Sequence, residues 1–217
     1  MDTKKTNQIV KQEDIMNLLD SFYEKSLNGI PAISVSVDKM DADYQKKHKN
    51  KEEACKAMLH NQIIKCTTSG ALTGLGGFIT LPVAIPANVG SVIYVQMRMI
   101  ACVAYMAGYD LDCDQTQTFV YACLAGVAIN SVVKKAGIKI GVKVSTNIIK
   151  KIPGTVLTKI NQKVGFRLLT KFGTTGVVNL GKLIPGIGAV VGGGLDLFET
   201  KIIADRAYAW FMKGNLS

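Results

Sequence analysis

Apolar residues recur at helical spacing in the first part of the chain. Between Ile15 and Phe22 they lie three or four residues apart, which predicts an amphipathic helix over 12–27 that ends before Gly29. Because this helix has one apolar face, it is expected to pack against another part of the chain. A short second helix is predicted over 37–47.

Polar residues predict where two later helices begin. Asn50 and Glu53 have the spacing of a capping box, so a third helix is predicted to start at Asn50. In the sequence DLDCDQTQ, Asp112 or Asp114 is the expected N-cap of a further helix. The alternating aspartates also resemble the start of a calcium loop. A glutamine replaces the glycine that such a loop requires, and this excludes an EF-hand.

No charged residue occurs between Cys66 and Met97, a run of 32 residues. About twenty apolar residues suffice to span a bilayer, but Pro82, Pro86 and several glycines divide the run into two halves. The pattern predicts a helix–break–helix hairpin, and two interpretations stay open: the hairpin is buried within the protein, or it dips into a membrane. The helix that follows Pro86 is predicted to end near Gly108.

A second glycine-rich stretch, GVVNLGKLIPGIGAVVGGGLD at 176–196, resembles most of a phosphate-binding P-loop. Leu183 replaces the hydroxyl residue that binds Mg²⁺, and Pro185 prevents the helix whose N-terminus would face the phosphate. Nucleotide binding is therefore disfavoured. Gly188 and Gly192 instead form a G-x-x-x-G pattern that favours close helix packing, and the stretch is interpreted as a second apolar hairpin.

Positive charge is concentrated in one stretch of the chain. The 217 residues carry a net charge of +10, and between Gln115 and Leu195 there are eleven Lys and Arg residues and no Asp or Glu. After Pro153, basic residues recur every four positions beside a stripe of apolar residues, which is the pattern of a helix at an anionic membrane surface. A solvated face on a helix that packs in the core is the alternative. The basic residues are Lys159, Lys163, Arg167 and Lys171, and the apolar stripe is Val156, Ile160, Val164 and Leu168.

Three earlier lysines, Lys135, Lys139 and Lys143, extend this basic region. They have helical spacing, although the sequence IKIGVKV also alternates like a strand, and a helix is favoured. Together with the four basic residues of the later helix, they are predicted to bind anionic lipid headgroups. Between Ser131 and Leu183 only two aromatic residues occur and no nucleic-acid motif is present, so nucleic acid is disfavoured as the partner.

Other residues that could carry chemistry are sparse. The five cysteines have no C-x-x-C spacing and lie mainly in apolar surroundings, which predicts reduced thiols in the core. His48 and His60 are the only histidines, and neither has the spacing of a zinc site. No metal or other cofactor is expected. The sequence MDTKKTNQIVKQED contains no apolar core of a signal peptide, so a cytoplasmic protein is expected.

Two segments of the chain resemble each other. RMIACVAY at 98–105 and KIIADRAY at 201–208 share four of eight positions, which raises an internal pseudo-repeat as a hypothesis. Polar residues in or beside these segments form a candidate core cluster for an enzyme that handles lipids or small molecules. A satisfied interhelical pair between Arg98 and an acid such as Asp196 or Glu199 is the alternative. The candidate cluster is Gln96, Arg98, Asp196, Glu199 and Thr200.

Several longer motifs resemble one known family. They are the Gly-Gly-Phe, Pro-x-x-x-Pro, Gln-x-Arg-Met-Ile, Gly-Tyr-Asp and Asn-Leu-Gly-Lys elements. In these elements the chain is similar to the EcsC family of bacterial proteins, whose founding members are encoded beside an ABC transporter. The resemblance implies an all-helical fold and disfavours the strand at IKIGVKV. It implies no agreed activity and no catalytic residues.

These patterns predict an all-α protein: a flexible N-terminus at 1–10, then a single compact helical domain over 11–217 with two Gly/Pro-broken apolar hairpins. The expected function is non-enzymatic. The protein is expected to lie at the inner face of the cell membrane and to dock on anionic lipid or a membrane protein through its basic amphipathic region. Two alternatives stay open, a membrane-permeabilising effector of the pore type and an enzyme with a site in the helical core.

Overall fold

Helices make up nearly all of the regular structure in the computed structural model, which describes residues 11–67, 87–137, 146–172 and 193–216. Nine helices and no strand occur in these ranges, so the predicted all-α fold is confirmed. The last helix continues into a π-helical turn at Tyr208–Met212. The helices are α1 (Gln12–Asn28), α2 (Val37–Gln45), α3 (Lys51–Thr67), α4 (Ala87–Met106), α5 (Asp114–Ala125), α6 (Ile129–Lys135), α7 (Thr146–Ile149), α8 (Gly154–Phe172) and α9 (Gly193–Ala207).

The central helix of the fold is α4. It contacts α1, α2, α3, α5 and α9, and Met97 and the residues from Met99 to Ala104 are completely buried. A helix that packs on most sides is apolar around most of its circumference. This explains why the uncharged run continues into α4 and why periodicity on a single face is weak there.

The first helix, α1, packs through the apolar face that its sequence predicts. Ile15, Leu19 and Phe22 are at most 2% exposed, and the ring of Phe22 lies edge-on to Tyr94 of α4, with 6.5 Å between centroids. The helix ends at Asn28, one residue beyond the predicted bound. Its C-cap is Gly29, as the sequence predicts.

A tight turn follows α1 and fixes the backbone beside α4. The N–H of Ile30 donates to the carbonyl oxygen of Ser34 at 3.0 Å, and the N–H of Ser34 donates back to Ile30 at 2.9 Å. The hydroxyls of Ser34 and Tyr94 hydrogen-bond at 2.7 Å. This turn therefore holds Val35 against α4, where it forms part of a cavity wall described below.

One predicted helix start is confirmed and one is wrong. Glu53 donates its backbone N–H to Oδ1 of Asn50 at 2.9 Å, which confirms Asn50 as the cap of α3. The Glu53 carboxylate accepts from the side-chain amide of Asn50 at 2.9 Å, where a full capping box would use the backbone N–H. The N-cap of α5 is Cys113, in place of Asp112 or Asp114. Cys113 has the extended backbone of an N-cap, with φ −93° and ψ 139°, and Asp114 is the first helical residue.

Several predicted features lie outside the described residues. They are the break at Pro82 and Pro86, the G-x-x-x-G pattern at Gly188 and Gly192, and the whole IKIGVKV segment. The helix that follows Pro86 is confirmed as α4. Among the described helices, none has both the length and the apolar content that crossing a membrane requires.

The cysteines of the chain form no disulfide, which confirms the predicted reduced thiols. Cys55, Cys66, Cys102 and Cys123 are buried, and Cys113 is partly exposed. Burial raises the pKa of the Cys55 thiol to about 12 and that of the Cys123 thiol to about 12. At neutral pH these two thiols are therefore protonated.

Candidate anion-binding groove

A groove with a volume of about 820 Å³ lies between α6 and α8. Lys135 at the end of α6 and Lys159, Lys163 and Arg167 on α8 line it, and all four side chains are exposed. Among the described residues, no Asp or Glu lines the groove. The structure therefore brings together four of the residues predicted to bind anions, and we call this feature the basic groove.

The two faces of α8 explain how its cations come to line the groove. Val156, Ile160, Val164 and Leu168 are at most 4% exposed, which confirms the predicted apolar stripe. This stripe lies on the side of the helix that packs in the core, where α8 contacts α1 and α5. Since the basic residues recur at the same four-residue spacing, they follow a parallel line along the exposed side.

An aromatic ring lies among the cations of the basic groove. Phe166 of α8 lines the groove and is 64% exposed. It follows Lys163 by three residues, so the two side chains are neighbours on the helix surface. A large apolar side chain exposed in a basic surface is a combination typical of membrane and partner contacts.

Arg167 extends to the C-terminal end of α5. That helix ends at Gly126 in the left-handed conformation, with φ +69°. A Cβ atom at Gly126 would lie 3.3 Å from Nη2 of Arg206 and 3.5 Å from Nη2 of Arg167. Arg206 also donates from Nη1 to the carbonyl oxygen of Cys123 at 2.7 Å. Both guanidinium groups thus lie at the negative end of the α5 dipole, which favours cations there.

Lys171, the last of the predicted basic series on α8, has a different environment. Its ammonium group forms an ion pair with Glu199 of α9, and Lys171 is not among the residues that line the basic groove. Lys139 and Lys143 lie outside the described residues. The predicted set of seven cations therefore divides into four in the groove, one in an ion pair and two that the structure does not describe.

The described side chains of the predicted core cluster lie in separate environments. Gln96 donates from Nε2 to Oγ1 of Thr200 at 2.9 Å, and both side chains are buried. Arg98 lies two residues further along α4, about 200° around the helix from Gln96, and donates from Nη2 to the carbonyl oxygen of Val35. The described ion pairs include none between Arg98 and Glu199, and Glu199 instead binds Lys171. The side chain of Asp196 is outside the described set.

The described residues also contain no cluster of three or more His, Cys, Asp or Glu side chains that could hold a metal ion. The ring of His48 stacks on Tyr44, with 6.4 Å between centroids.

Comparison with known proteins identifies the family. The model of the EcsC protein family matches residues 3–213, nearly the whole chain. The chain belongs to the EcsC protein family. No curated protein and no solved structure matches it.

In this EcsC family protein, sequence reasoning missed three residues of the groove region. Phe166 could have been found, since it follows Lys163 at i+3 on a helix that was correctly predicted. Arg206 and Gly126 gave no such signal, because their roles depend on how α9 packs near the end of α5. Lys135 was predicted, but its position in the same groove as α8 depends on the contact between α6 and α8.

Proposed function

We propose that this protein binds anionic membrane surfaces peripherally, at the cytoplasmic face, through the basic groove. The observation that carries the proposal is the convergence of four exposed cations and one exposed aromatic ring, with no acid among the lining residues that the structure describes. The four cations come from two helices, so their convergence is a property of the fold and is not required by the spacing of α8 alone.

The energetics are suited to reversible binding. Each Lys or Arg near an anionic leaflet contributes about 1 kcal/mol, so the four cations together contribute at most about 4 kcal/mol. Partial burial of the Phe166 ring in the headgroup region adds a hydrophobic contribution of about 1–2 kcal/mol. Charge attraction brings the groove to the surface, and the ring then helps to retain it there.

The alternative, in which the basic face is only solvated, fits the groove less well. Solvated helix faces commonly carry both signs of charge, and other exposed lysines of this protein do have acidic partners. Lys39, Lys56 and Lys201 each form an ion pair with an acid four residues away. The four cations of the basic groove form no ion pair within the described residues.

Vesicle flotation tests the proposal. The wild-type protein and a variant are mixed separately with phosphatidylcholine vesicles that contain or lack phosphatidylglycerol. The variant carries Lys135→Gln, Lys159→Gln, Lys163→Gln and Arg167→Gln. We expect the wild type to bind the anionic vesicles only. The variant is expected to bind at least about tenfold more weakly, and wild-type binding is expected to weaken with added salt.

A matched control separates the basic groove from net charge. A second variant has the same net charge as the first, because four exposed lysines that line neither cavity are replaced by Gln. These lysines are Lys46, Lys49, Lys51 and Lys151. This control is expected to bind within about threefold of the wild type. Equal loss in both variants would assign binding to net charge, and no binding by the wild type would reject membrane docking altogether.

A further inference from the structure

A second cavity lies on a different part of the molecule from the basic groove. It has a volume of about 560 Å³, and its walls come from the turn at 32–35, from α2 and α3, and from Arg98 of α4. The two cavities share no lining residue. We call the second the Arg98 cavity. The lining residues that matter here are Val35, Asp43, Tyr44, Asn61, Lys65 and Arg98.

The guanidinium of Arg98 is buried and has no carboxylate partner among the described side chains. Arg98 is only 6% exposed, and within the described residues its one hydrogen bond is the donation from Nη2 to the carbonyl oxygen of Val35. Its Nε is buried and has no hydrogen-bond partner. Buried arginines are normally paired, because taking a charge out of water costs several kcal/mol unless other groups compensate for it. Arg98 thus retains donor capacity at the wall of a cavity large enough for a ligand.

A second cation faces the same space. Lys65 of α3 lines the Arg98 cavity, and its pKa is lowered, first by burial and then by the positive charge of Arg98. Two like charges so placed repel each other in the absence of a counter-ion. Asp43 is the only acid among the described lining residues, and its carboxylate lies 3.6 Å from the ammonium of Lys39. Within the described part of the chain, the cavity therefore has an excess of positive charge.

Neutral polar groups complete the wall. Asn61 donates from Nδ2 to the hydroxyl oxygen of Tyr44 at 2.9 Å, which fixes both side chains beside the cavity. Because that hydroxyl accepts from Asn61, its own hydrogen can be donated to a ligand. Cationic and neutral donors are thus held around one space by α2, α3 and α4.

We propose that the Arg98 cavity binds the phosphate group of a small phosphomonoester or of a phosphomonoester lipid headgroup. The planar guanidinium of Arg98 matches two oxygens of a phosphate, and Lys65 neutralises further charge. The volume of about 560 Å³ is within the range of small-molecule sites, about 300–1,000 Å³, so it accommodates more than the phosphate alone. This site is independent of the basic groove.

The test measures binding of sn-glycerol 3-phosphate and inorganic phosphate to the full chain at constant ionic strength, with sodium chloride as the reference salt. The readout is the ¹H–¹⁵N signal of the Arg98 Nε group, identified by its loss in Arg98→Lys, together with calorimetric titration. We expect a saturable shift of this signal with sn-glycerol 3-phosphate and none with chloride. Absence of any saturable shift with all phosphate probes would overturn the proposal.

Variants of the wall make the test specific. Lys65→Gln, at an exposed position, is expected to weaken binding at least about fivefold, while Lys46→Gln, at an exposed position outside the cavity, is expected to leave it within about twofold. Arg98→Lys is expected to weaken binding more than Lys65→Gln. Should Arg98→Lys fail to fold, Lys65→Gln decides the result: unchanged affinity in that variant would reject the site.

A further arm distinguishes a soluble ligand from a lipid. Vesicles that contain phosphatidic acid are added to the variant that lacks the four cations of the basic groove, so membrane docking through the groove does not contribute. A shift of the Arg98 signal with these vesicles alone would assign the site to a lipid headgroup. A shift with sn-glycerol 3-phosphate would assign it to a soluble phosphomonoester.

Discussion

Gly29 and Ala32 both adopt left-handed backbone conformations in the turn that forms a wall of the Arg98 cavity. Their φ angles are +78° and +62°. A Cβ atom on Gly29 would lie 2.5 Å from the carbonyl oxygen of Ser34, which is backbone and has little freedom to move. Only glycine adopts such angles without cost, and an L-residue pays about 1–2 kcal/mol. The two positions therefore differ in whether a side chain also meets a steric obstacle.

We predict that substitution affects stability strongly at Gly29 and weakly at Ala32. Gly29→Ala is expected to lower the free energy of unfolding by about 2 kcal/mol or more, since it adds both backbone strain and a steric clash. Ala32→Gly is expected to change it by less than about 1 kcal/mol, because relief of strain is offset by greater entropy of the unfolded chain. Urea denaturation measures both values, and a neutral Gly29→Ala would contradict the described turn.

Single residues also show where prediction from the sequence reaches its limit. The sequence identified Gln96, Arg98 and Thr200 as unusual polar residues in apolar helices, and the structure buries all three. Their partners could not be predicted, because Thr200 binds Gln96 and Arg98 binds the carbonyl oxygen of Val35. A backbone acceptor leaves no signature in the sequence, so the hydrogen bond between Arg98 and Val35 could not be predicted.

At the scale of elements, Glu52 joins α3 to the π-helical turn. Its carboxylate accepts from the Tyr208 hydroxyl at 2.6 Å and lies 3.0 Å from the ammonium of Lys56 and 3.1 Å from that of Lys213. The Tyr208 hydrogen bond and the two lysines lower the pKa of Glu52 from 4.5 to about 2. A lowered pKa in the folded state stabilises the fold above the unfolded value, and this contribution is lost as the pH falls.

We predict that this contact gives an acid-dependent stability. Between pH 4.5 and about pH 2, the wild type is expected to lose stability that a Glu52→Gln variant does not lose. The difference between their urea midpoints should therefore narrow over this range. Tyr208→Phe, which removes the first of these hydrogen bonds, is expected to reduce the pH dependence. A constant difference between wild type and Glu52→Gln at all pH values would be inconsistent with the contact.

The two faces of α8 allow stability and membrane binding to be separated. Ile160 is completely buried and Phe166 is 64% exposed on the same helix. Ile160→Ala is expected to lower the free energy of unfolding by about 2–5 kcal/mol. Phe166→Ser is expected to change it by less than about 0.5 kcal/mol while it weakens binding to anionic vesicles several-fold. Equal vesicle binding by Phe166→Ser and the wild type would exclude the ring from the membrane contact.

Helices were predicted well where a periodic apolar face meets the core. The apolar stripes of α1 and α8 are buried as their spacing predicts. The start of α5 was placed at the wrong residue, because several polar side chains around Cys113 are compatible with an N-cap and the backbone angles decide among them. Only part of the basic groove could be predicted. The sequence shows the basic residues of α8 at four-residue spacing, but the contact that places α6 and Lys135 beside them depends on tertiary packing.

Over the whole molecule, the two proposed anion sites are built from separate elements. The basic groove depends on α6 and α8, and the Arg98 cavity on α2, α3, α4 and the turn after α1. The net charge of +10 predicted an acidic partner without distinguishing these two surfaces. The groove is open and multivalent, whereas the cavity has one buried guanidinium, so the first is suited to a surface and the second to a single ligand.

The unequal burial of the five cysteines predicts their chemical reactivity. At pH 8, Ellman's reagent is expected to modify Cys113 rapidly and the four buried cysteines slowly, because access and thiolate formation both require exposure. All five should react once the chain is unfolded in urea. Cys113→Ser is expected to remove the rapid phase, and a rapid phase larger than one thiol per chain would contradict the described packing.

This difference in accessibility gives the native sequence a single attachment point for a spectroscopic probe. Cys113 lies in the segment between α4 and α5 and lines neither the basic groove nor the Arg98 cavity. A fluorophore or spin label at Cys113 therefore leaves both surfaces chemically intact and requires no prior removal of the other cysteines. Occupancy of either site could then be followed on one labelled protein, with distances measured from a fixed position at the N-terminal end of α5.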